Sequence, residues 1–188
     1  MSTDTSRQPA GRHLLIGVTG GIAAYKIAAL VSTLVQRGDD VVVAMTEAAT
    51  RFVGETTFSS LTDRPVLIDP WNADDGHASP HVHLAEWADA MLIAPCTMDM
   101  LSKLSQGRTD DAVSLLAAAI DRSSTPVLLA PSMNAVMLSQ PATRRNMAQL
   151  QDDGYTLIEP DQGWQACRSE GQGRLPEPAE LMAAIDGV

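Results

Sequence analysis

Cysteine is scarce in this chain: Cys96 and Cys167 are the only two, far apart and in no metal-ligand spacing. Neither a disulfide framework nor a zinc site is indicated. A reduced, cytoplasmic protein is the simplest reading. Basic residues are also in deficit, 13 Lys and Arg against 23 Asp and Glu, for a formal net charge of −10. Nucleic acid and anionic membranes repel such a chain, which argues against non-specific binding to either. A phosphorylated ligand stays open, because backbone amides and a local Arg hold a phosphate whatever the global sign. No run approaches the ~20 apolar residues of a membrane span, and Met1 to Gly11 has no apolar segment of the signal-peptide kind. That polar tail is expected to be disordered, with a single domain over residues 12–188.

What is present is a globular composition, 45% hydrophobic and 19% charged over 188 residues. That length buries one substantial core and implies one active-site region. The organising stretch is His13 to Lys26, HLLIGVTGGIAAYK. An apolar run ends in Thr19-Gly20-Gly21, and a helix-compatible segment, Ile22 to Leu34, follows at once. This reads as strand, tight turn, helix, with the first-turn N–H groups and the positive end of the helix dipole free to face an anion. The pattern matches neither G-x-G-x-x-G nor G-x-x-x-x-G-K-[ST], so it does not by itself specify a dinucleotide or a triphosphate. Glycines that merely permit close packing remain the alternative.

Further buried runs recur along the chain: Asp40 to Met45, Ala90 to Ala94, Val127 to Ala130 and a last strand at Tyr155 to Ile158. Helical segments lie between them, closed by Gly38, Gly107 and Gly154. Strands alternating with helices imply an α/β fold, a doubly wound parallel sheet with helices on both faces and right-handed crossovers. Thr46 is placed to cap the helix that follows it, or to meet a phosphate oxygen. Pro70 to Pro80 is a polar loop of the length that binding segments and lids have. His81 and His83 are two apart on a helix and point to different sides, so they do not chelate one metal, and at most one faces a site. From Glu159 to Pro178 regular periodicity disappears, leaving a glycine-rich loop that carries Cys167. Gly20-Gly21, Thr46, Thr97 and Ser132 to Asn134 all fall at carboxyl ends of strands, the edge where open α/β sheets bind ligands. Their convergence is stronger than any one of them.

The set GVTGGIAAYK, MTEAA, HVHLAEWAD, APCTMD, PSMNAVM and ACRSEGQGRL, in this order, resembles the flavin-dependent cysteine decarboxylase family, and within it the branch acting on phosphopantothenoylcysteine. The resemblance covers roughly Leu14 to Pro178. It implies a flavodoxin-like, Rossmann-like FMN-binding fold that assembles as trimers, often four in a dodecamer, with no metal. By motif, Gly20, Gly21, Ile22, Thr46, Thr97, Met98 and Asp99 line FMN, with Ser132 near the flavin ring. His81 corresponds to the catalytic His, Asn134 to the Asn that holds the substrate carboxylate, and Cys167 to the Cys that protonates the late intermediate. Met137 and Arg174 are expected on the substrate. A separate phosphopantothenoylcysteine synthetase is the expected functional partner.

These residue types suit the implied chemistry. A cysteine carboxylate has no adjacent group to take the electrons left when carbon dioxide departs. Removal of a hydride from the carbon bearing sulfur makes a thioaldehyde, which delocalises the developing carbanion and leaves an ene-thiolate. Hydride then returns from the reduced flavin while Cys167 supplies a proton, so no external electron acceptor is needed. His81 is suited to act as base or electrostatic partner for the thiol.

Four positions depart from the family pattern: Leu138 replaces an aromatic, Arg168 a glycine, Asp110 an Asn, and Cys96 a small residue, this last read as core. Arg168 is read as stiffening the flap or contacting a phosphate, and Leu138 as bearing on the substrate's tail. Three alternatives share the fold. A peptidyl-cysteine decarboxylase shares the chemistry, but enzymes that stop at the ene-thiol generally lack the Cys. A non-catalytic FMN-binding regulatory subunit generally carries long acidic extensions, absent here. An aromatic-acid flavin prenyltransferase lacks the His81 and Pro131 to Met137 motifs.

Overall fold

The alternation of apolar runs and amphipathic helices produces, in the computed structural model, a five-stranded parallel sheet covered on both faces; residues 11–69 and 79–188 are described. Strand β1 (His13–Val18) leads to helix α1 (Ala24–Arg37), β2 (Asp40–Met45), a short 3-10 turn (Glu47–Arg51) and α2 (Glu55–Thr62). Then follow α3 (Pro80–Trp87), β3 (Ala90–Cys96), α4 (Met98–Ser105), α5 (Ala112–Ala119) and β4 (Val127–Pro131). The chain continues through α6 (Ala135–Ser139), α7 (Pro141–Asp152), β5 (Thr156–Leu157), β6 (Asp161–Trp164), β7 (Glu170–Arg174) and α8 (Pro178–Asp186).

The strand order is β2-β1-β3-β4-β5, all parallel. Strands of such a sheet are buried on both faces, which is why their sequences read as unbroken apolar runs. Leu14, Ile16 and Val18 face one layer with Ile27, Leu30 and Leu34 of α1, Phe58 of α2, and Leu181 and Ile185 of α8. Leu15, Met91, Ile93 and Leu129 face the other, with Leu101 of α4, Leu116 of α5 and Leu150 of α7. Cys96 is wholly buried in that second layer, as its core reading requires, and burial pushes its thiol pKa up. Among the described residues no helix is long and apolar enough to cross a membrane.

Several expectations need correction. The strand expected at Tyr155 to Ile158 is only Thr156–Leu157, and it is not the last. The stretch expected to lack regular structure, Glu159 to Pro178, contains an antiparallel hairpin, β6–β7, outside the main sheet. Its glycines erased the hydrophobic signal, and they are there because the hairpin lies so close to the segment after β4. A Cβ on Gly171 would stand 2.9 Å from Ala135 Cβ, and one on Gly173 2.1 Å from the Met133 carbonyl oxygen. Residues Ala135–Ser139 form a short helix capped by Asn134. Residues 1–10 of the tail expected to be disordered, Met1 to Gly11, and residues 70–78 of the expected lid, Pro70 to Pro80, lie outside the described residues.

Candidate active site

A cleft of about 1270 Å³ opens along the carboxyl ends of the strands, above the gap between β1 and β3. In sheets of this order the chain leaves β1 and β3 in opposite directions, and the crevice between them is the ligand site. Of the residues singled out by sequence, Gly20, Gly21, Ile22, Thr46, Thr97, Met98, Asp99, Ser132, Asn134, Met137, Cys167 and Arg174 all line this cleft. His81 does not.

The β1 end of the cleft is built from small groups. The Thr19 hydroxyl is buried, donates to the Pro95 carbonyl at 2.5 Å and accepts from the Thr97 N–H at 3.2 Å, tying the β1 and β3 ends together. Thr46 and Thr97 each accept a bond from the N–H three residues on, at 3.3 Å. They are therefore caps, and they also face the cleft. The α1 N-terminus has no side-chain cap, and of its first amides those of Ala24 and Lys26 donate to the Gly21 and Ala23 carbonyls, both at 3.0 Å. Gly20 and Gly21 do not have positive φ. Gly20 is required by close approach, since an added Cβ would meet Ala48 Cβ at 2.5 Å. At Gly21 the same addition meets Pro95 and Thr97 at ordinary distances of 3.5 and 3.6 Å, so packing does not require a glycine there.

The opposite wall joins Asn134 to Cys167. Asn134 Oδ1 accepts from the N–H groups of Val136 (2.8 Å) and Met137 (3.4 Å), which fixes the amide and aims Nδ2 at Cys167 Sγ, 3.3 Å away. The sulfur also lies 3.0 Å from Ser169 Oγ. These bonds, Ser169's first and Asn134's second, lower the pKa of the exposed Cys167 thiol below the ordinary thiol range. The expected result is that iodoacetamide alkylates Cys167 with a midpoint below that of a free cysteine. Because hydrogen bonds to the thiolate cause the shift, Ser169→Ala and Asn134→Ala each move that midpoint upward, as mass spectrometry across a pH series checks.

Among the described residues three cations line the cleft, and each is held by carboxylate. Lys103 reaches Asp111 at 2.8 Å, Asp110 at 3.0 Å and Asp99 at 3.7 Å. Lys26 contacts Glu177 at 3.0 Å and donates to the Leu175 carbonyl, and Arg174 pairs with the same Glu177. An incoming phosphate thus meets amides and hydroxyls at β1 and β2, or must draw Arg174 from Glu177. Thr19, Lys26 and Lys103 were missed by sequence reasoning. The available signal was helical: Lys103 is four residues after Asp99 on α4 and shares its face.

The departures resolve individually. Leu138 lies outside this cleft, in a separate depression of about 360 Å³ beside Arg144 and Met147, and so does not bear on a ligand in the main one. Arg168 occupies a left-handed conformation with φ 63°, which is what a glycine favours there, and it does not line the cleft. Asp110 does line it, held by Lys103, whose hydrogen bond lowers its carboxyl pKa. His81 lies on α3, with a buried Nδ1 that has no hydrogen-bond partner among the described residues.

Sheet order, crossover cleft and hydroxyl-rich strand ends define a flavodoxin-like α/β ligand-binding protein. The flavoprotein family model matches residues 2–188, and the chain belongs to that family. It is 42% identical over 171 residues to the coenzyme A biosynthesis bifunctional protein CoaBC of Bacillus subtilis, covering 91% of this chain and 41% of that one. Against the Mycobacterium tuberculosis protein of the same name the identity is 42% over 170 residues, covering 90% and 40%. The chain thus spans about two fifths of the length of these curated relatives. Among solved structures, a PPC decarboxylase variant complexed with pantothenoylaminoethenethiol superposes with a TM-score of 0.84 at 26% identity, covering 94% of this chain and 97% of that one. The FMN-dependent cysteine decarboxylase SpaF does so at 0.79 and 29%, covering 93% and 95%.

Proposed function

We propose that this chain is a phosphopantothenoylcysteine decarboxylase, converting 4′-phospho-N-pantothenoylcysteine to 4′-phosphopantetheine in coenzyme A biosynthesis, with FMN as cofactor. The observation that carries the reading is the Asn134–Cys167 pair on one wall of the cleft, facing a β1 end built of glycines, amides and hydroxyls. The residues present fit FMN. Gly20, Gly21 and Thr46 surround the uncapped end of α1, suited to a phosphate, and Ile22, Thr97, Met98, Asp99 and Ser132 supply the mixed walls that a ribityl chain and a flat ring need. FMN supplies a two-electron sink and returns the same electrons within one turnover.

The rest belongs to the chain. Asn134 Nδ2 is a neutral donor, able to orient the substrate carboxylate without over-stabilising the charge that must leave. Cys167 Sγ–H is the acid that protonates the ene-thiolate, and the bonds from Ser169 and Asn134 that lower its pKa make it a readier proton donor. Met137 and Arg174 face the substrate, Arg174 by exchanging Glu177 for the phosphate. His81 is proposed as the base for the substrate thiol. Because it lies outside its own chain's cleft, that role requires a homo-oligomer, a trimer or a dodecamer of trimers, in which one copy brings His81 to another's cleft. A phosphopantothenoylcysteine synthetase is the proposed functional partner. The ene-thiol bound in the similar PPC decarboxylase, pantothenoylaminoethenethiol, carries no phosphate but has the same ene-thiol end as the intermediate proposed for this chain, which supports the reading.

Purified protein is expected to be yellow and to release a product lacking only the elements of carbon dioxide. His81→Asn is expected to retain the colour and lose turnover by about 10²-fold or more, the scale of a lost general base. A colourless protein that does not take up FMN sinks the reading. A yellow one that acts only on a peptide ending in cysteine replaces it with peptidyl-cysteine decarboxylation.

A further inference from the structure

Gln165 is the buried polar side chain of the β6–β7 hairpin, 8% exposed among residues that are otherwise largely solvated. Its carboxamide spans three segments. Nε2 donates to the Gln172 carbonyl at 3.0 Å across the hairpin and to the Met133 carbonyl at 3.5 Å in the segment after β4. Oε1 accepts from the Ala135 N–H at 3.3 Å, at the residue beside Asn134, and from the Cys167 thiol at 3.6 Å. Its backbone closes the turn that carries Cys167, donating to the Ser169 carbonyl and accepting from the Arg168 N–H, both at 2.9 Å. One side chain thus holds the loop bearing Asn134 and the turn bearing Cys167, two groups 33 residues apart in sequence.

We propose that Gln165 is a positioning residue for the late protonation: it locks Asn134 and Cys167 into one unit and keeps the thiol hydrogen available beside the substrate. This rests on the function proposed above. In that step the ene-thiolate carbon next to nitrogen takes a proton from Cys167 Sγ, and the carbon bearing sulfur takes the hydride removed earlier. Cys167 is left as thiolate and regains its proton from solvent. Decarboxylation precedes this step and does not need the Cys167 proton, and Asn134, which orients the leaving carboxylate, keeps its own bonds from the Val136 and Met137 N–H groups when Gln165 is lost, so the two steps are affected unequally.

Two variants test it in the full, FMN-loaded chain. Gln165→Leu keeps the size and removes every polar contact. In a single anaerobic turnover it is expected to release carbon dioxide and leave more of the flavin reduced, with the ratio of oxidised ene-thiol to fully reduced product rising by about tenfold or more, because small misplacements of a reacting group carry penalties of that order. Gln165→Glu keeps the acceptor for Ala135 but sets an oxygen, in place of the Nε2 donor, against the Met133 and Gln172 carbonyls, so it is not expected to restore the normal ratio. Its negative charge beside the sulfur disfavours the thiolate, so the alkylation midpoint of Cys167, measured without substrate, moves up by about one pH unit. A role in folding alone would lower Tm and both steps together and would not move that midpoint in this direction. An unchanged product ratio in Gln165→Leu overturns the proposal, as does an unmoved midpoint in Gln165→Glu. If Gln165→Leu fails to fold, the Glu variant decides. Wild-type protein that does not convert the phosphorylated substrate removes the proposed function, while the alkylation shift still tells whether Gln165 stands against the sulfur.

Discussion

Replacing Cys167 with serine is expected to lower formation of the fully reduced product by about 10²- to 10⁴-fold, the range over which a positioned acid contributes. Serine fits: it is smaller by little, and Asn134 Nδ2 and Ser169 Oγ remain to bond its oxygen. The loss is one of acidity. The Cys167 thiol is held below the ordinary thiol range by Ser169 and Asn134, whereas no arrangement of two neutral hydrogen bonds makes a hydroxyl a comparable acid near neutrality. Oxidation and carbon dioxide loss come first and do not draw on this proton. The variant should therefore bind FMN, consume one equivalent of substrate, and release a product lacking two further hydrogens, with the flavin absorbance bleached. Mass spectrometry of the product and a single-turnover absorbance trace check both points. Fully reduced product at the wild-type rate would remove Cys167 from its assigned role.

Gly173→Ala is expected to be the most damaging alanine substitution in the hairpin. Gly173 has φ 127°, a conformation that residues with a Cβ rarely adopt, and an added Cβ would lie 2.1 Å from the Met133 carbonyl oxygen. Nor can the backbones simply part, since the Met133 N–H donates to the Gly173 carbonyl at 3.0 Å and the two segments are joined there. Strained φ/ψ and overpacking each cost about 1–3 kcal/mol, so the native contact is lost or the domain is destabilised by about that sum. For a chain of this size the corresponding fall in Tm is about 4–24 °C. Gly21→Ala is the control: its Cβ meets only ordinary contacts, so Tm of the cofactor-free protein stays near wild type. A Gly173→Ala variant as stable as Gly21→Ala, with Cys167 still alkylated at a lowered midpoint, would show that the hairpin does not depend on this contact.

The strands were legible because a parallel sheet buries both faces. Leu14 to Val18, Val41 to Met45 and Ala90 to Ala94 carry their environment in composition, and no tertiary information is needed to find them. Helix starts were equally local. Thr97 caps α4 and Asp111 caps α5 through bonds reaching three residues at most. Once the strands and their order of crossing are known, the edge at which Gly20, Thr46, Thr97 and Ser132 meet follows from the handedness of the crossovers.

The hairpin was not legible, and the reason is chemical. Gly163, Gly171 and Gly173 carry no side chain, so β6 and β7 show no alternation. What pairs them is contact with Met133 and Ala135, some 40 residues earlier. The site divides along the same line. Sequence determined the sheet, its ligand-binding edge and the residue types that suit a flavin and a cysteine carboxylate, since each depends on local periodicity or on a motif. Only the tertiary structure decided that Asn134 bonds Cys167, that Gln165 joins their two segments, that Lys26, Lys103 and Arg174 are each paired with carboxylate, and that His81 stands outside the cleft. These depend on distances between segments far apart in the chain, which packing sets and no local pattern records.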